Sequence, residues 1–311
     1  MLDYKLLQAL CAVVEEGGFE RAARRLNLTQ SAVSQRIRQL EEALGQPVLA
    51  RTQPPAATEK GRLLLRHARR VGLLEAELSR GLGLGQPASG DATGGEPTRA
   101  PWQTIALAVN ADTLATWFTR AVLPLLATER LALDLRVDDQ ERTHELLRAG
   151  DVVGCVSTRA APMQGCRAVL LGHMRYHCAG SPAFAARWFP QGLGLEAARL
   201  APAVVFNRQD TVHDRFLESC FGASPREAPR HHVPNSERFV DFVAGGAGYG
   251  LIPHLQAQAL LASGGLVDLA PAAPMNVPLY WHCWNIPSAL LAQLTKALRE
   301  AGRAQLVQTV S

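Results

Sequence analysis

The stretch FERAARRLNLTQSAVSQRIRQLEEALGQPVLAR, residues 19–51, decides how the chain is read. It opens with a short helix that turns Ala22, Ala23 and Leu26 inward. The helix breaks at Asn27, a residue type that tolerates left-handed backbone. Thr29 then stands where a helix N-cap is needed, its hydroxyl able to accept an orphan backbone N–H. Along Gln30 to Leu44 the residues Val33, Ile37, Leu40 and Leu44 are spaced by four, three and four, which buries one stripe. Gln30, Ser31, Ser34, Gln35 and Arg38 project elsewhere, and they are the side-chain types that reach base edges and phosphates in a major groove.

Working outward, Leu6, Leu7, Leu10, Val13 and Val14 mark an earlier helix that Gly17-Gly18 stops. After Gly45, QPVLARTQPPAAT combines a short apolar run with a Pro-Pro pair and reads as a small hairpin or wing. Thr58 caps a long helix in which Leu64, Ala68, Val71, Leu78 and Leu82 follow an approximate heptad, with Glu75 in the remaining core slot. Packing on a partner helix and packing on its own domain are both open. GLGLGQPASGDATGGEPTRAP, residues 81–101, is rich in Gly and Pro and lacks a periodic apolar face, so it is expected to be a flexible linker.

Beyond the linker, short apolar runs alternate with helical patterns, the mark of α/β architecture with mostly parallel strands. Strands are expected at 104–109, 131–137, 152–157, 169–179, 203–207, 230–233, 249–252 and 279–284, with helices between them and a last helix over about 288–303. The expected organisation is a helix-turn-helix unit over 1–58, a dimerisation helix over 59–82, a linker over 83–101 and a two-lobed domain over 102–303. Lobe 1 takes about 102–160 and 270–303, and lobe 2 about 161–269.

Residues 1–80 hold 13 Lys and Arg against 9 Asp and Glu, whereas the rest of the chain balances 19 against 19. A basic segment on a neutral body suits a nucleic-acid-binding module. No stretch reaches the roughly 18 apolar residues of a membrane span, and the N-terminal residues lack a signal-peptide pattern. Six scattered cysteines with no CxxC pair suit reduced thiols. A cytoplasmic protein with no membrane partner is therefore expected.

Residues 19–51 resemble the LysR-type signature, in which an Ala-Ala helix precedes TQSAVSQRIRQLE and then G-x-P-V/L-x-x-R. DYKLLQAL, GQPVLART, LAVNADTLATW, GDVVGCVS, APAVVF, IPHLQ and LYWH extend the likeness over nearly the whole chain. They place it beside the branch containing the regulators of lysine and arginine export, whose founding member was also described as a chromosome-initiation inhibitor. The long Gly-rich linker is the main departure. The resemblance implies an α/β protein with an all-α N-terminal part: a winged helix-turn-helix, a long linker helix and two Rossmann-like lobes of periplasmic-binding-protein type. It implies base or nearby phosphate contacts at Gln30, Ser31, Ser34, Gln35 and Arg38, with Thr29 and Arg36 beside them. Phosphate contacts are implied at Arg24, Arg25, Arg51 and Thr52. For any one arginine, a solvated surface charge is the alternative.

That branch also implies a basic amino acid as effector. Asn110-Ala111-Asp112-Thr113 leads from a strand into a helix, where backbone N–H groups and the Thr113 hydroxyl could receive a carboxylate. Asp112 could pair with an ammonium. Ser157, Thr158 and Asn207 stand at strand ends facing the expected cleft, and Asp138, Asp139 and Glu141 form a second acidic group. Capping or loop solvation is the alternative role for each. His173, His177, His231 and His232 lack the neighbouring spacing of a metal site, GGAGYG lacks a dinucleotide-binding context, and no catalytic motif appears. The expectation is therefore a non-enzymatic, cofactor-free transcription regulator, dimeric or tetrameric, that binds double-stranded promoter DNA. It would respond to L-lysine or L-arginine and control an exporter gene, with RNA polymerase a candidate partner. The alternative is an architectural or replication-initiation-inhibiting DNA-binding protein with weak effector dependence.

Overall fold

The computed structural model describes residues 2–50, 52–82, 102–138, 140–224 and 227–308. The expected linker therefore lies outside the described residues. The N-terminal unit comprises α1 (Tyr4–Glu16), α2 (Phe19–Leu26), α3 (Gln30–Leu44), β1 (Leu49–Ala50) and β2 (Ala56–Ala57), followed by α4 (Glu59–Gly81). Its helix ends follow from local chemistry. The Asp3 carboxylate accepts the Lys5 N–H, the Thr29 hydroxyl accepts the Ala32 N–H, and Gly17, Asn27 and Gly45 close helices in the left-handed region. Val33, Ile37 and Leu40 of α3 meet Leu7, Leu10 and Val13 of α1 in a dry core. The wing is the antiparallel pair β1–β2. A methyl group on Gly61 would lie 2.1 Å from the Val48 carbonyl, so α4 can start only against a glycine there.

On α4 the structure departs from the heptad reading. Leu65 is buried in the N-terminal core and Leu73 in the core of the following domain. Leu64 and Ala68 are half-buried, while Leu78 and Leu82 are exposed. The helix serves two cores in succession along its length, the N-terminal one through Leu65 and that of the second unit through Leu73.

The second unit runs β3 (Gln103–Val109), α5 (Ala111–Thr113), a π-helical stretch (Leu114–Phe118), α6 (Thr119–Thr128), β4 (Leu131–Val137), α7 (Gln140–Ala149), β5 (Gly154–Ser157) and β6 (Cys166–Gly180). It continues with α8 (Pro182–Trp188), α9 (Leu195–Leu200), β7 (Ala203–Val205), α10 (Val212–Phe221), β8 (Arg230–His232), α11 (Ser236–Ala244), β9 (Gly250–Pro253), α12 (His254–Ser263), β10 (Val267–Asp268), β11 (Met275–Trp284) and α13 (Ala289–Gln305). β3 lies between β4 and β5 in parallel, and the crossovers that parallel pairing demands supply the helices from α5 to α7. β11 then returns antiparallel between β5 and β6.

β6 belongs to both lobes. Its first part pairs with β11, and its last residues pair with β9 and β10. Lobe 2 adds the parallel pair β7–β8. The sequence reading extended β7 to Asn207, but the strand stops at Val205. Beyond it the Asn207 carboxamide accepts the Gln209 and Asp210 N–H groups, a local turn that outcompetes the ladder. β10, α9 and the π-helical stretch carry too few residues to show a sequence period.

Trp281 is fully buried on β11, and its Nε1–H donates to the Thr295 hydroxyl of α13 at 3.0 Å. Gly154 on β5 lies against this indole: a methyl group there would sit 2.2 Å from the ring. Gly154→Ala should therefore lower the unfolding free energy of the second unit by about 1–3 kcal/mol, the usual penalty of overpacking, measured by urea denaturation. An unchanged midpoint would show that the ring can move aside.

Candidate DNA-binding and effector sites

Successive residues of a helix are about 100° apart. Gln30, Ser31, Ser34, Gln35 and Arg38 therefore share one side of α3, opposite the stripe of Val33, Ile37 and Leu40. Gln30, Ser31, Gln35 and Arg38 are exposed and Ser34 is half-buried. Arg36 falls away from this face, half-buried beside the core stripe. Thr29 is occupied twice, capping α3 and sharing a 3.0 Å hydrogen bond with the Ser31 hydroxyl. Arg24 and Thr52 are exposed. Arg25 is half-exposed but engaged, with Nη1 at 2.7 Å from Glu15 and 3.2 Å from Glu16. Arg51 lies outside the described residues.

The candidate effector site is a cavity of about 330 Å³ where the end of β3 faces lobe 2, the switch-point position at which α/β folds bind ligands. Asn110 ends β3 and caps α5, its carboxamide oxygen accepting the Thr113 N–H at 2.7 Å. This turn carries Asp112 into the cavity wall. Tyr176 of β6 donates its hydroxyl to Asp112 Oδ2 at 2.7 Å, and Ser236 of α11 donates to Oδ1 at 2.6 Å. Both donors are neutral. Burial raises the Asp112 carboxyl above its ordinary value, and the two hydroxyl bonds oppose that rise. Burial also keeps the Tyr176 phenol protonated, so it remains a donor. Asp210, raised by burial as well, accepts the Phe206 and Val212 N–H groups.

Four carboxyl side chains line the cavity, Asp112, Asp138, Glu145 and Asp210, against one guanidinium, Arg215. The lining is thus richer in acidic than in basic side chains. Of the residues expected from sequence, Asn110, Asp112, Asp138, Thr158 and Asn207 come together on the wall. Thr113 and Ser157 are fully buried and do not line it. The Thr113 N–H is already taken by Asn110, so it is not available to a ligand carboxylate. The Ser157 hydroxyl accepts the Arg159 N–H. Asp139 and the side chain of Glu141 lie outside the described residues. Sequence reasoning missed Tyr176, Glu145, Asp210, Arg215 and Ser236. The inward alternation of Met174, Tyr176 and Cys178 on β6 was the one available signal. Among the described residues no group of three His, Cys, Asp or Glu side chains is placed to hold a metal, and no helix is long and apolar enough to cross a membrane.

A winged three-helix unit followed by a two-lobed domain with a cleft of this kind defines a ligand-responsive DNA-binding protein. The chain belongs to the LysR family of bacterial transcription regulators, which are not enzymes. Residues 4–62 match the bacterial regulatory helix-turn-helix protein model of the lysR family, and residues 103–303 match the LysR substrate binding domain. The HTH-type transcriptional regulator ArgP of Pseudomonas aeruginosa is 49% identical over 301 residues, 96% of this chain and 95% of that protein. The crystal structure of ArgP from Mycobacterium tuberculosis, 37% identical, superposes with a TM-score of 0.85 over 99% of this chain and 100% of that one. Full-length LysG of Corynebacterium glutamicum with bound effector Arg, 32% identical, gives 0.76 over 98% and 100%. A second full-length LysG structure gives 0.60 over 99% and 100%.

His213 of α10 lines the same cavity, buried against the Tyr249 ring with centroids 5.1 Å apart. Burial lowers its pKa to about 4, with Arg230 adding to the fall. The folded state thus holds the neutral imidazole. The stability this gives is complete above the unfolded value near 6.5 and is lost as pH falls through 4. Wild type should lose about 3 kcal/mol over that window relative to His213→Phe, read as the difference between their urea unfolding curves at each pH. Parallel curves would place the imidazole's titration at its unfolded value.

Proposed function

We propose that this chain is a promoter-binding transcription regulator whose effector is L-arginine or L-lysine and whose target is an amino-acid exporter gene, acting in the cytoplasm. The observation that carries the effector is the Asp112 carboxylate, half-buried at the cavity wall and bonded by two neutral hydroxyls. An ammonium or guanidinium entering the cavity supplies the opposite charge that these contacts lack, while Arg215 stands available to the ligand carboxylate. The names of the relatives support the same chemistry, since one solved relative carries arginine as its effector.

On the DNA side, Gln30, Ser31, Ser34, Gln35 and Arg38 meet base edges, and Arg24, Arg51 and Thr52 meet phosphates, with Thr29 fixing the start of the helix. The exposed Leu74, Leu78 and Leu82 of α4 support a two-fold pairing with a second copy, so the operator is an interrupted dyad. Effector domains pair these dimers into tetramers, and the assembly meets RNA polymerase at the promoter.

The test is calorimetric titration of the full-length protein with L-arginine and L-lysine, with a neutral and an acidic amino acid as controls. Saturable heat from the basic pair alone is expected. Asp112→Asn should weaken it at least about tenfold, or about 1.4 kcal/mol, and leave binding to selected genomic DNA fragments unchanged. Because the cation needs the ionised carboxyl, affinity should fall as pH is lowered toward the raised Asp112 value. Heat that is absent with all four amino acids, or equal for all of them, overturns the effector reading.

A further inference from the structure

α4 touches both units through the same run of side chains. Toward the N-terminal unit, His67 meets the Tyr4 hydroxyl at 3.1 Å, and Arg69 Nε lies 3.7 Å from Glu15 at the end of α1. Toward lobe 1, Arg66 donates to the Arg148 carbonyl at 3.0 Å, and Arg69 Nη1 donates to the Gly150 carbonyl at 2.5 Å and to Asp151 at 3.2 Å. These acceptors lie at the C-terminus of α7, where carbonyls lack helical partners and the dipole favours cations. Gly150 is left-handed at φ +79°, and a methyl group there would lie 2.5 Å from Arg66 Cβ. The backbone of α4 therefore sits directly on the end of α7. Farther along, Arg70 stacks over Trp284 at 5.2 Å, and the Glu77 carboxylate accepts the Ala289 N–H at the start of α13.

We infer that Arg69 is a positioning residue: its single guanidinium, shared between Glu15 of α1 and the Gly150–Asp151 turn of lobe 1, sets the DNA-binding unit against the effector unit. The fork geometry matters. Nε and Nη1 point at different partners, and only a guanidinium holds both at once. Arg69 is 18% exposed, against 34% for Glu15 and 29% for Asp151, so these charges are less screened than a surface pair. The other end of the route is the cavity. Glu145, a little over one helical turn before Gly150 and on α7 itself, lines it. A shift of α7 at Glu145 moves the Gly150–Asp151 turn, and Arg69 carries that shift to α1. The two LysG structures, equal in identity to this chain, superpose on it to different extents.

The ligand arm of this inference rests on the effector reading above, but its central test does not. Hydrogen exchange of the full-length protein is measured for segments 10–18 and 146–152 in wild type, Asp151→Asn, Arg69→Gln and the double variant. Asp151→Asn is expected to speed exchange at the end of α1 about threefold, although it lies in the other unit. In the Arg69→Gln background it should add nothing there, because the link is already broken. Arg69→Lys keeps the charge but spans one partner at a time, so it should behave like Arg69→Gln. Additive effects, an α1 that ignores Asp151→Asn, or full rescue by Lys overturns the inference. If Arg69→Gln does not fold, Glu15→Gln with Asp151→Asn closes the same cycle. Where calorimetry shows L-arginine binding, the ligand should change α1 exchange in wild type and leave it unchanged in an Arg69→Gln protein that still binds. An equal change in both overturns the inference. Absence of binding heat overturns only the effector reading, and the ligand-free cycle still decides this one.

Discussion

The Asp112 carboxyl, half-buried at the cavity wall, is the point around which the cleft is arranged. A polar group drawn out of water must be hydrogen-bonded or paired, and here three separate elements meet to do it. Asn110 folds the chain after β3 so that Asp112 enters the wall, β6 delivers the Tyr176 hydroxyl, and α11 delivers the Ser236 hydroxyl. Because Tyr176 stands on the strand common to both lobes and Ser236 on a helix of lobe 2, the carboxylate ties the two sides of the cleft together. Hydroxyl donors hold the group in place without neutralising it. The result is a site that is formed before the ligand arrives and still has the most favourable contact left to make, which is how preorganisation converts into affinity.

The remaining carboxyl groups act at longer range. Asp210 is committed to backbone N–H groups, so it contributes negative potential more than a flexible contact. Glu145 lines the cavity from α7 and Arg215 from α10. A ligand with a cation and a carboxylate at separate ends matches that polarity, whereas a neutral or acidic amino acid leaves the acidic side without a partner. On the effector reading proposed above, selectivity would come from the charge left unmatched by the wrong guest as much as from attraction of the right one.

The N-terminal unit was legible because it is local: caps, breaks and the α3 stripe are each specified within a few residues of where they act. The exposed polar face of α3 was also legible, and the 100° helical step places Arg36 off it, away from Gln30 and Arg38. Arg25 could be read as basic, but its pairing with Glu15 and Glu16 depends on how α1 and α2 cross. In the second unit, Asn110 and Asp112 were visible because a strand end followed by a cap is a sequence pattern. Tyr176 and Ser236 were not, since they meet Asp112 across 64 and 124 residues of chain, and no local period encodes such a meeting. On α4 the heptad positions were legible, but the burial of Leu65 in one core and Leu73 in another depends on which units flank the helix.

A regulator of this design needs a junction that defines one arrangement and can still be biased by a ligand. A ligand shifts such an equilibrium only by its difference in affinity for the two arrangements, typically about 1–3 kcal/mol in coupling energy. The contacts along α4 are matched to that scale. Leu73 is seated in the second core and gives the junction its apolar anchor, worth roughly 1.5–3 kcal/mol when fully buried. Around it the polar ties are individually small, since partly exposed ion pairs contribute about 0–1 kcal/mol each. Replacing those ties with a continuous apolar interface would fix one arrangement beyond the reach of any small ligand. Removing them would leave a pivot on Leu73 with no preferred orientation. The charged rim thus sets the orientation, and its modest strength is what leaves the orientation open to control.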